Sequence, residues 1–338
     1  VCFMKARLSK EGPMKNYSNR MEFTPNCTIC KTFNPHPENL PRNIHKLMEE
    51  EKLLGKSIAY PKTYCPDILV AVPRHLNREI YQIDPATSFF YGYDSWHCYE
   101  ASFLTSNGLP VSGILKLVYP AESEYLVESK SLKLYLGSFQ MYRLEDTVEE
   151  SISLFCRKVA EDLRKCLHTS VGIHFYSNSP ANLPFDFSDY EILENLPGIS
   201  QCIFADYQEN PVLLKENCSL SPGEIKVGSH LLKSNCKITR QPDWGSIYIR
   251  MKASSLPDRF SLLKYIVSLR DENHFHEEVC EMVFKRLTDF FHPEILSVGC
   301  LYTRRGGIDI CPVRANRPEY LPLYLPCPDI LTQKEFRQ

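Results

Sequence analysis

The stretch GEIKVGSHLLKSNCKITRQPDWGSIYIRMKA, residues 223–253, contains two strand-like runs separated by a turn at Gln-Pro-Asp-Trp. Aspartate beside proline is typical of a turn, because proline presets the backbone and the carboxylate bonds to nearby backbone groups. The stretch therefore predicts a β-hairpin. Cys236 is expected near the end of its first strand, and Asp243 in the turn.

The elements around this hairpin follow an order that occurs twice in the chain. Two helical patterns and a strand–turn–strand pattern follow it, at 259–269, 276–291 and 295–313. About 130 residues earlier, matching patterns lie at 95–120, 129–139, 145–167 and 170–178. The sequence therefore predicts an α+β protein with two tandem ββααββ units and antiparallel sheets.

The first of these units differs from the second at the turn of its hairpin. It has Asn107-Gly108, a plain hairpin turn, where the second unit has Pro242-Asp243. We therefore expect the second unit to carry the chemistry and the first to act as scaffold and partner.

The predicted organisation has four parts. Residues 1–52 are a polar extension of unknown role with one helical pattern at 38–54, and 53–185 form the first unit. Residues 186–222, which lie in a Pro- and Asn-rich stretch, form a linker region, and 223–338 form the catalytic unit.

The composition is that of a globular protein. The chain has 338 residues, 43% hydrophobic and 24% charged, with a formal net charge of −2 at pH 7. This charge gives no overall attraction to nucleic acid or membranes. The sequence contains no run of 18 or more apolar residues, so it predicts no transmembrane helix. The fourteen cysteines are scattered, and the first residues lack the apolar core of a secretory signal. We therefore expect a cytoplasmic protein that binds neither a membrane nor nucleic acid directly.

Cys236 and Asp243 are the first candidates for catalysis. Nearby positive charge lowers the pKa of a thiol from about 8.5, and Lys233, Lys237 and Arg240 could supply that charge. The spacing fits better a half-buried cysteine and an aspartate that stabilises its own turn. Spacing alone leaves both interpretations open.

His276 and Glu277 lie at the start of a predicted helix. A carboxylate there is favoured by the helix dipole, so capping explains it without a function. In a pocket, however, Glu277 would pair with an amidine-like edge such as the N1–H and 2-amino group of guanine. His276 would then be a proton shuttle.

Polar and basic residues at two other places could hold phosphates. Ser129 and Lys130 follow Glu128 at a helix start, and Arg304, Arg305 and Arg314 surround a Gly-Gly turn. The alternative is a solvated basic surface. Neither a GxGxxG nor a GxxxxGK[ST] motif is present, which argues against a Rossmann or P-loop site.

A Cys27-x-x-Cys30 pair, with His36 and His45 nearby, suggests a zinc site only weakly. Ordinary thiols in a polar extension explain the pair better, and we predict no metal requirement.

Together, these stretches resemble the NADPH-dependent 7-cyano-7-deazaguanine reductases (QueF) of queuosine biosynthesis. The resemblance extends over about residues 53–338, is poor near 179–215 and does not reach 1–52. It rests on VPRHLNRE (72–79), VESKSLKLYLGSF (127–139), LLKSNCKITRQPDWGS (231–246), FHEEVCE (275–281) and YTRRGGIDICPVR (302–314).

The resemblance implies a tunnelling fold, in which ββααββ units assemble into a barrel, and a homodimer. It implies that Cys236 attacks the nitrile carbon to form a thioimide and that Asp243 protonates the nitrogen, with His276 assisting. Two NADPH per nitrile then give the aminomethyl product.

The same resemblance implies roles in binding. Glu277 and Glu128 would bind the edges of the deazaguanine, with Phe275 packing beside it. Ser129 and Lys130 become candidates for binding NADPH, together with the arginines named above.

Three other functions fit parts of the pattern. One is a relative that adds ammonia to the same nitrile without NADPH, and another is a zinc-dependent cyclohydrolase of the same fold. The third is a non-catalytic module that binds a deazapurine or tRNA.

Overall fold

The computed structural model describes residue 61 and residues 63–84, 89–217 and 222–338, all within one unit, Ser57–Gln338. The predicted helix at 38–54 and the Cys27–Cys30 pair lie outside these residues. No helix among the described residues has the length and apolar character needed to cross a lipid bilayer.

The strands of the first half are β1 (Ala71–Pro73), β2 (Tyr91–Leu104), β3 (Pro110–Pro120), β4 (Tyr125–Val127), β5 (Gly172–Tyr176) and β6 (Glu191–Ile192). Those of the second half are β7 (Gly223–Cys236), β8 (Pro242–Ala253), β9 (Asn273–His274), β10 (Ile295–Tyr302) and β11 (Ile308–Ala315). The α-helices are α1 (His75–Ile80), α2 (Ser129–Gly137), α3 (Val148–Leu167), α4 (Arg259–Ser268) and α5 (His276–Phe291). Short 3₁₀ helices lie at Pro66–Ile68, Leu193–Asn195, Ile199–Gln201, Pro211–Leu213, Leu269–Asp271 and Pro318–Tyr320.

Nine strands form one sheet in the order β5-β3-β2-β11-β10-β8-β7-β6, with β9 beside β7. All neighbours are antiparallel except β6 and β9, which run parallel to β7. The predicted α+β class and both hairpins are confirmed. Among the described residues the sheet is open, with β5 at one edge, and β1 and β4 form a separate two-stranded ribbon.

The pairing of β11 with β2 joins the two halves of the chain. Eight residues of β11, from Ile308 to Ala315, lie opposite Cys98 to Tyr91 of β2. One continuous sheet therefore carries both halves, with α2 and α3 packed on the first and α4 and α5 on the second.

Both long hairpins contain a register shift at a comparable place. In β7 the shift falls between Ser229 and Leu232, and in β2 between Cys98 and Ala101. Side chains alternate between the two faces of a strand, so an extra residue moves all later side chains to the other face. Val227 and Leu232 consequently both belong to the core under the helices, and the alternation places Cys236 on that same face.

In the part of the chain that the structure describes, the face of the sheet opposite the α-helices is covered by irregular chain and a short 3₁₀ helix. Phe187 stacks on Tyr248 with ring centroids 4.3 Å apart, and Leu325 joins the same apolar cluster. Phe187 and Leu193 come from the segment predicted as a linker, and both are buried. This segment thus packs on the sheet and contains the short strand β6.

Beneath the helix-covered face lies a buried network of five charges. Arg314 of β11 donates to Asp94 of β2 (2.8 Å) and to Glu281 of α5 (2.8 Å). Arg78 of α1 also binds Glu281 (2.7 Å), and Arg74 contacts Asp94. Burial alone would raise the pKa of Glu281, but Arg314 and Arg78 lower it to about 2. The network ties α1, α5 and the central pair of strands together.

We predict that Glu281→Gln destabilises the protein by about 3–5 kcal/mol at pH 7, because it leaves buried arginines uncompensated. Since the folded pKa lies below the usual 4.5, the wild-type contribution is present above pH 4.5 and is lost as the pH falls towards 2. In chemical denaturation, the difference in the free energy of unfolding between variant and wild type should narrow as the pH falls over that interval. Glu319→Gln, which breaks an exposed pair with Arg317, should change stability by less than about 1 kcal/mol. An equal loss in both variants would contradict this account.

Candidate functional site

A cavity of about 260 Å³ lies where the second hairpin meets the starts of α2 and α5. This volume is just below the range of about 300–1,000 Å³ common for small-molecule sites. The predicted residues that line it are Ser129, Lys130, Cys236, Asp243, Phe275, His276, Glu277 and Arg305. Trp96, Val127, Lys133, Gln241, His274, Thr303, Gly306, Ile308 and Ile310 complete the lining.

The tip of the second hairpin brings Cys236 and Asp243 to one face. The backbone N–H of Cys236 donates to the carbonyl of Gln241 (2.8 Å), and that of Arg240 donates to the carbonyl of Cys236 (2.8 Å). Asp243 lies directly opposite Ser234, so it shares the face of Ser234 and of Cys236 two residues on.

The sequence placed Asp243 in the turn, and this is wrong. The turn is formed by residues 237–241, with Arg240 in the left-handed region (φ 53°), and β8 begins at Pro242. Proline lacks an N–H but is tolerated as the first residue of a strand. The backbone of Asp243 is therefore held by strand pairing, opposite Ser234.

Asp243 is buried between two basic side chains. Its Oδ1 accepts a hydrogen bond from Arg305, and its Oδ2 lies 3.6 Å from Nε2 of His276. Burial alone would raise the pKa of Asp243, but His276 and Arg305 lower it below its usual value. The side chain is therefore a carboxylate at neutral pH.

The start of α5 supplies the next three residues of the lining. Phe275 is the N-cap, and the His276 ring packs on Tyr302 with centroids 4.0 Å apart. The Glu278 carboxylate accepts the N–H of Phe275 (3.0 Å), so Glu278 is the residue that caps the helix. Glu277 is thereby left to face the cavity.

Glu277 is 3% exposed, and within the described part of the chain its Oε1 has no hydrogen-bond partner. Burial, followed by the charge of Asp94, raises the pKa of Glu277 to about 8, against the opposing effect of Arg74 and Arg314. The group is therefore a neutral acid at pH 7. A ligand that offered it N–H donors would convert it to a carboxylate.

Glu128 is buried beside the cavity, between lining residues Val127 and Ser129. Its Oε2 accepts the N–H of Ser131 (2.7 Å) and caps α2, as Asp258 does for α4 with the N–H of Ser261 (2.8 Å). The structure therefore gives Glu128 a capping bond and does not bring it into the lining.

The basic residues predicted to hold phosphates divide into three groups. Lys130 and Arg305 line the cavity, together with Ser129. Arg304 lies outside it, with its guanidinium 3.5 Å from the centroid of the Tyr99 ring. Arg314 is fully buried against carboxylates, so its predicted role in binding NADPH is withdrawn.

The start of α2 contributes one more basic residue to the lining, whereas Trp96 was missed by sequence reasoning. Lys133 follows Lys130 by three positions, and that spacing places both on one helix face. Trp96 could be found only through the pairing of β2 with β11, which joins residues about two hundred positions apart.

One group of described residues has the spacing of metal ligands: His97, Asp309 and Cys311. It lies on the opposite face of the sheet from Cys236. The Lys334 ammonium contacts His97 Nδ1 (2.8 Å) and Asp309 Oδ2 (3.2 Å) there, so a protein cation already compensates the carboxylate.

We predict that Glu277→Gln becomes progressively more stable than wild type as the pH rises from about 4.5 to 8. A raised folded pKa gives wild type stability that is present below pH 4.5 and lost as the pH rises through 8, and glutamine has no such loss. The difference should grow by at most roughly 1.4 kcal/mol per pH unit in denaturant titrations. Glu294→Gln, at an exposed pair with Lys252, should show no such trend. A constant difference for Glu277→Gln would show that Glu277 is ionised.

Comparison with known families gives matches on both halves of the chain. The family model for the N-terminal part of the nitrile reductase 7-cyano-7-deazaguanine reductase matches residues 60–175. The model for QueF-like proteins matches residues 242–320. The match to a solved archaeosine synthase QueF-Like in the apo form covers 29% of this chain and 95% of the solved chain, at 17% identity and a TM-score of 0.26.

Curated relatives match over most of their length. A protein from Coxiella burnetii is 37% identical over 276 residues, which is 81% of this chain and 95% of the relative. One from Hydrogenovibrio crunogenus is 39% identical over 274 residues, 79% of this chain and 92% of the relative. One from Delftia acidovorans is 37% identical over 285 residues, 81% of this chain and 96% of the relative. Each is named NADPH-dependent 7-cyano-7-deazaguanine reductase, and the chain belongs to this family.

Proposed function

We propose that this protein reduces the nitrile of 7-cyano-7-deazaguanine to an aminomethyl group with NADPH, in the biosynthesis of queuosine. The observation that carries the proposal is that a thiol, a buried carboxylate, an imidazole and a neutral buried carboxylic acid line one cavity: Cys236, Asp243, His276 and Glu277. Membership of the reductase family supports the same reaction.

In the first step the sulfur of Cys236 attacks the nitrile carbon. Asp243, which is ionised in the structure, takes the thiol proton and passes it to the nitrile nitrogen, which gives a neutral thioimide. A nitrile accepts hydride poorly, and the thioimide, whose nitrogen now carries the proton, accepts hydride much better. The covalent step therefore prepares the carbon for reduction.

NADPH supplies one hydride in each of two reductions, so four electrons convert the nitrile to the amine. After the first, Cys236 leaves with the sulfur–carbon electron pair and an imine forms, which the second reduces. His276, 3.6 Å from Asp243, is placed to return protons to that carboxylate between the two steps.

Glu277 would recognise the base. As a carboxylate it accepts hydrogen bonds from the N1–H and 2-amino group of the deazaguanine, and Phe275 packs against the ring system. Glu128 is proposed to contribute from the first half, using the part of its carboxylate that does not cap α2. Lys130, Ser129 and Arg305 are proposed to hold the phosphates of NADPH, with Arg304 at the outer side of the same turn.

We also propose the tunnelling fold, with units at 53–185 and 223–338, a linker region at 186–222 and a homodimer whose open sheets close into a barrel. The matching hairpins with their matching register shifts support two related units. The open edge at β5 offers backbone groups for pairing with a second chain. The cytoplasmic location also stays a proposal.

We predict that mixing the protein with 7-cyano-7-deazaguanine, without NADPH, produces a covalent adduct visible by intact-mass spectrometry. Cys236→Ala should form none, whereas Cys202→Ala, which changes a thiol outside the cavity, should react as wild type does. With NADPH present, two equivalents should be oxidised per nitrile. An adduct on Cys236→Ala, or no oxidation of NADPH, would refute the proposed reaction and favour the amidine-forming or non-catalytic alternatives.

We also predict that Glu277→Gln weakens substrate binding about 10- to 100-fold, because hydrogen bonds to a charged group contribute roughly 1.5–3 kcal/mol. The comparison is best made in the Cys236→Ala background, where calorimetry measures binding without the covalent step. In the Cys236→Ala protein that retains Glu277, binding below pH 8 should also release a proton from this residue. The measured heat of binding should then depend on the ionisation enthalpy of the buffer. Unchanged affinity would remove Glu277 from the base-binding site.

A further inference from the structure

The guanidinium of Arg305 joins the two turns that border the cavity. It follows β10, next to the Gly306-Gly307 turn, and its Nη1 donates to Oδ1 of Asp243. Its Nη2 donates to Oε1 of Gln241 (2.9 Å) and to Oγ1 of Thr239 (3.2 Å). Two side chains of the loop after Cys236 and the first acidic side chain of β8 thus hold one cation in place.

This arrangement matters because few other charges face Asp243. Lys233 on β7 and Tyr302 on β10 interact with it electrostatically, and His276 on α5 approaches its other oxygen. The guanidinium of Arg305 is a permanent charge in direct contact with the carboxylate. Removing the guanidinium would leave the buried carboxylate of Asp243 without this permanent positive charge beside it.

We infer that Arg305 is a positioning residue that holds Asp243 as a carboxylate before the substrate arrives, so that Asp243 begins the reaction as the base for Cys236. The inference rests on the proposed function and assigns Arg305 a task besides any contact with NADPH. That task is performed in the first half of the reaction, in which no NADPH takes part.

The proton balance of that first half defines the task. The S–H bond of Cys236 breaks, the S–C bond forms, and the nitrogen gains one proton, so nothing is oxidised or reduced. A protonated Asp243 could give its proton to nitrogen but could not take one from the thiol. The resting carboxylate accepts the thiol proton and then donates it, and Arg305 keeps that resting form populated as the pH falls.

The consequence is a defined pH profile for adduct formation. Without Arg305 the pKa of Asp243 rises, because one cause of its lowering is gone while burial continues to raise it. Below the new pKa the base is protonated and the reaction slows, whereas well above it the rate approaches that of wild type. Arg305→Lys keeps a positive charge but loses the fork that binds Gln241 and Asp243 together, so it should restore the profile in part.

The test is the rate of adduct formation without NADPH, measured by stopped-flow absorbance between pH 3 and 9, a range that includes the acid limb expected of a carboxylate with a lowered pKa. Arg305→Gln should move the acid limb upward by about one pH unit or more, with Arg305→Lys between it and wild type. Arg317→Gln, an exposed arginine beyond β11, should superimpose on wild type. In the Cys236→Ala background, Arg305→Gln should change the dissociation constant of the nitrile less than about twofold, which separates positioning from binding.

An acid limb unchanged in Arg305→Gln would overturn the inference, as would a uniform loss of rate at every pH. Circular dichroism of each variant confirms that the 37%-exposed Arg305 side chain was replaced without unfolding. If wild type itself formed no adduct, the proposed function would fail instead. The two failures are therefore distinguishable.

Discussion

The ion pairs of Arg314 are the contacts on which both the fold and the site depend. Arg314 lies on β11, at the pairing with β2 that joins the two halves, and bonds to Asp94 across that pairing. It also binds Glu281, one helical turn after Glu277 on α5. Charged side chains are costly to bury unless they are paired with an opposite charge. The pair of Arg314 with Glu281 therefore strongly constrains the position of α5. Asp94 raises the pKa of Glu277 and Arg314 lowers it, so the same charges also influence the protonation of this cavity residue.

The cavity combines two opposite electrostatic settings within a few residues. Asp243 is buried with basic partners and is ionised, whereas Glu277 is buried, has no bonded partner for its Oε1 among the residues that the structure describes, and is neutral. Two carboxyl groups whose pKa values move in opposite directions are suited to different tasks, one to proton transfer and one to recognition. The division follows from position: Asp243 is reached by Arg305 from a neighbouring turn and by His276 from the start of α5, whereas Glu277 points inward from the first turn of the same helix.

Much of the fold could be predicted from the sequence, because hairpins and amphipathic helices depend on local patterns. The pairing of Cys236 with Asp243 was visible as spacing, but only the resemblance to the reductases gave each a task. Arg314 was misjudged because its burial depends on strands far apart in sequence, and a glycine-rich turn nearby suggested exposure. Asp243 was misplaced because proline marks turns and first strand positions alike. The capping bond of Glu128 was hidden because the same carboxylate serves equally well as an N-cap or as a ligand.

The register shift in β7 implies an unequal tolerance to two kinds of mutation. Replacing one side chain between Ser229 and Leu232 leaves the alternation of the strand intact, so many substitutions should be accepted. Deleting a single residue there would remove the extra position and turn Leu232, Ser234 and Cys236 toward the helix-free face. Cys236 would then lie on the far side of the sheet from Glu277, although no side chain of the cavity had been altered. Catalysis in this chain is therefore encoded partly as a count of residues along one strand.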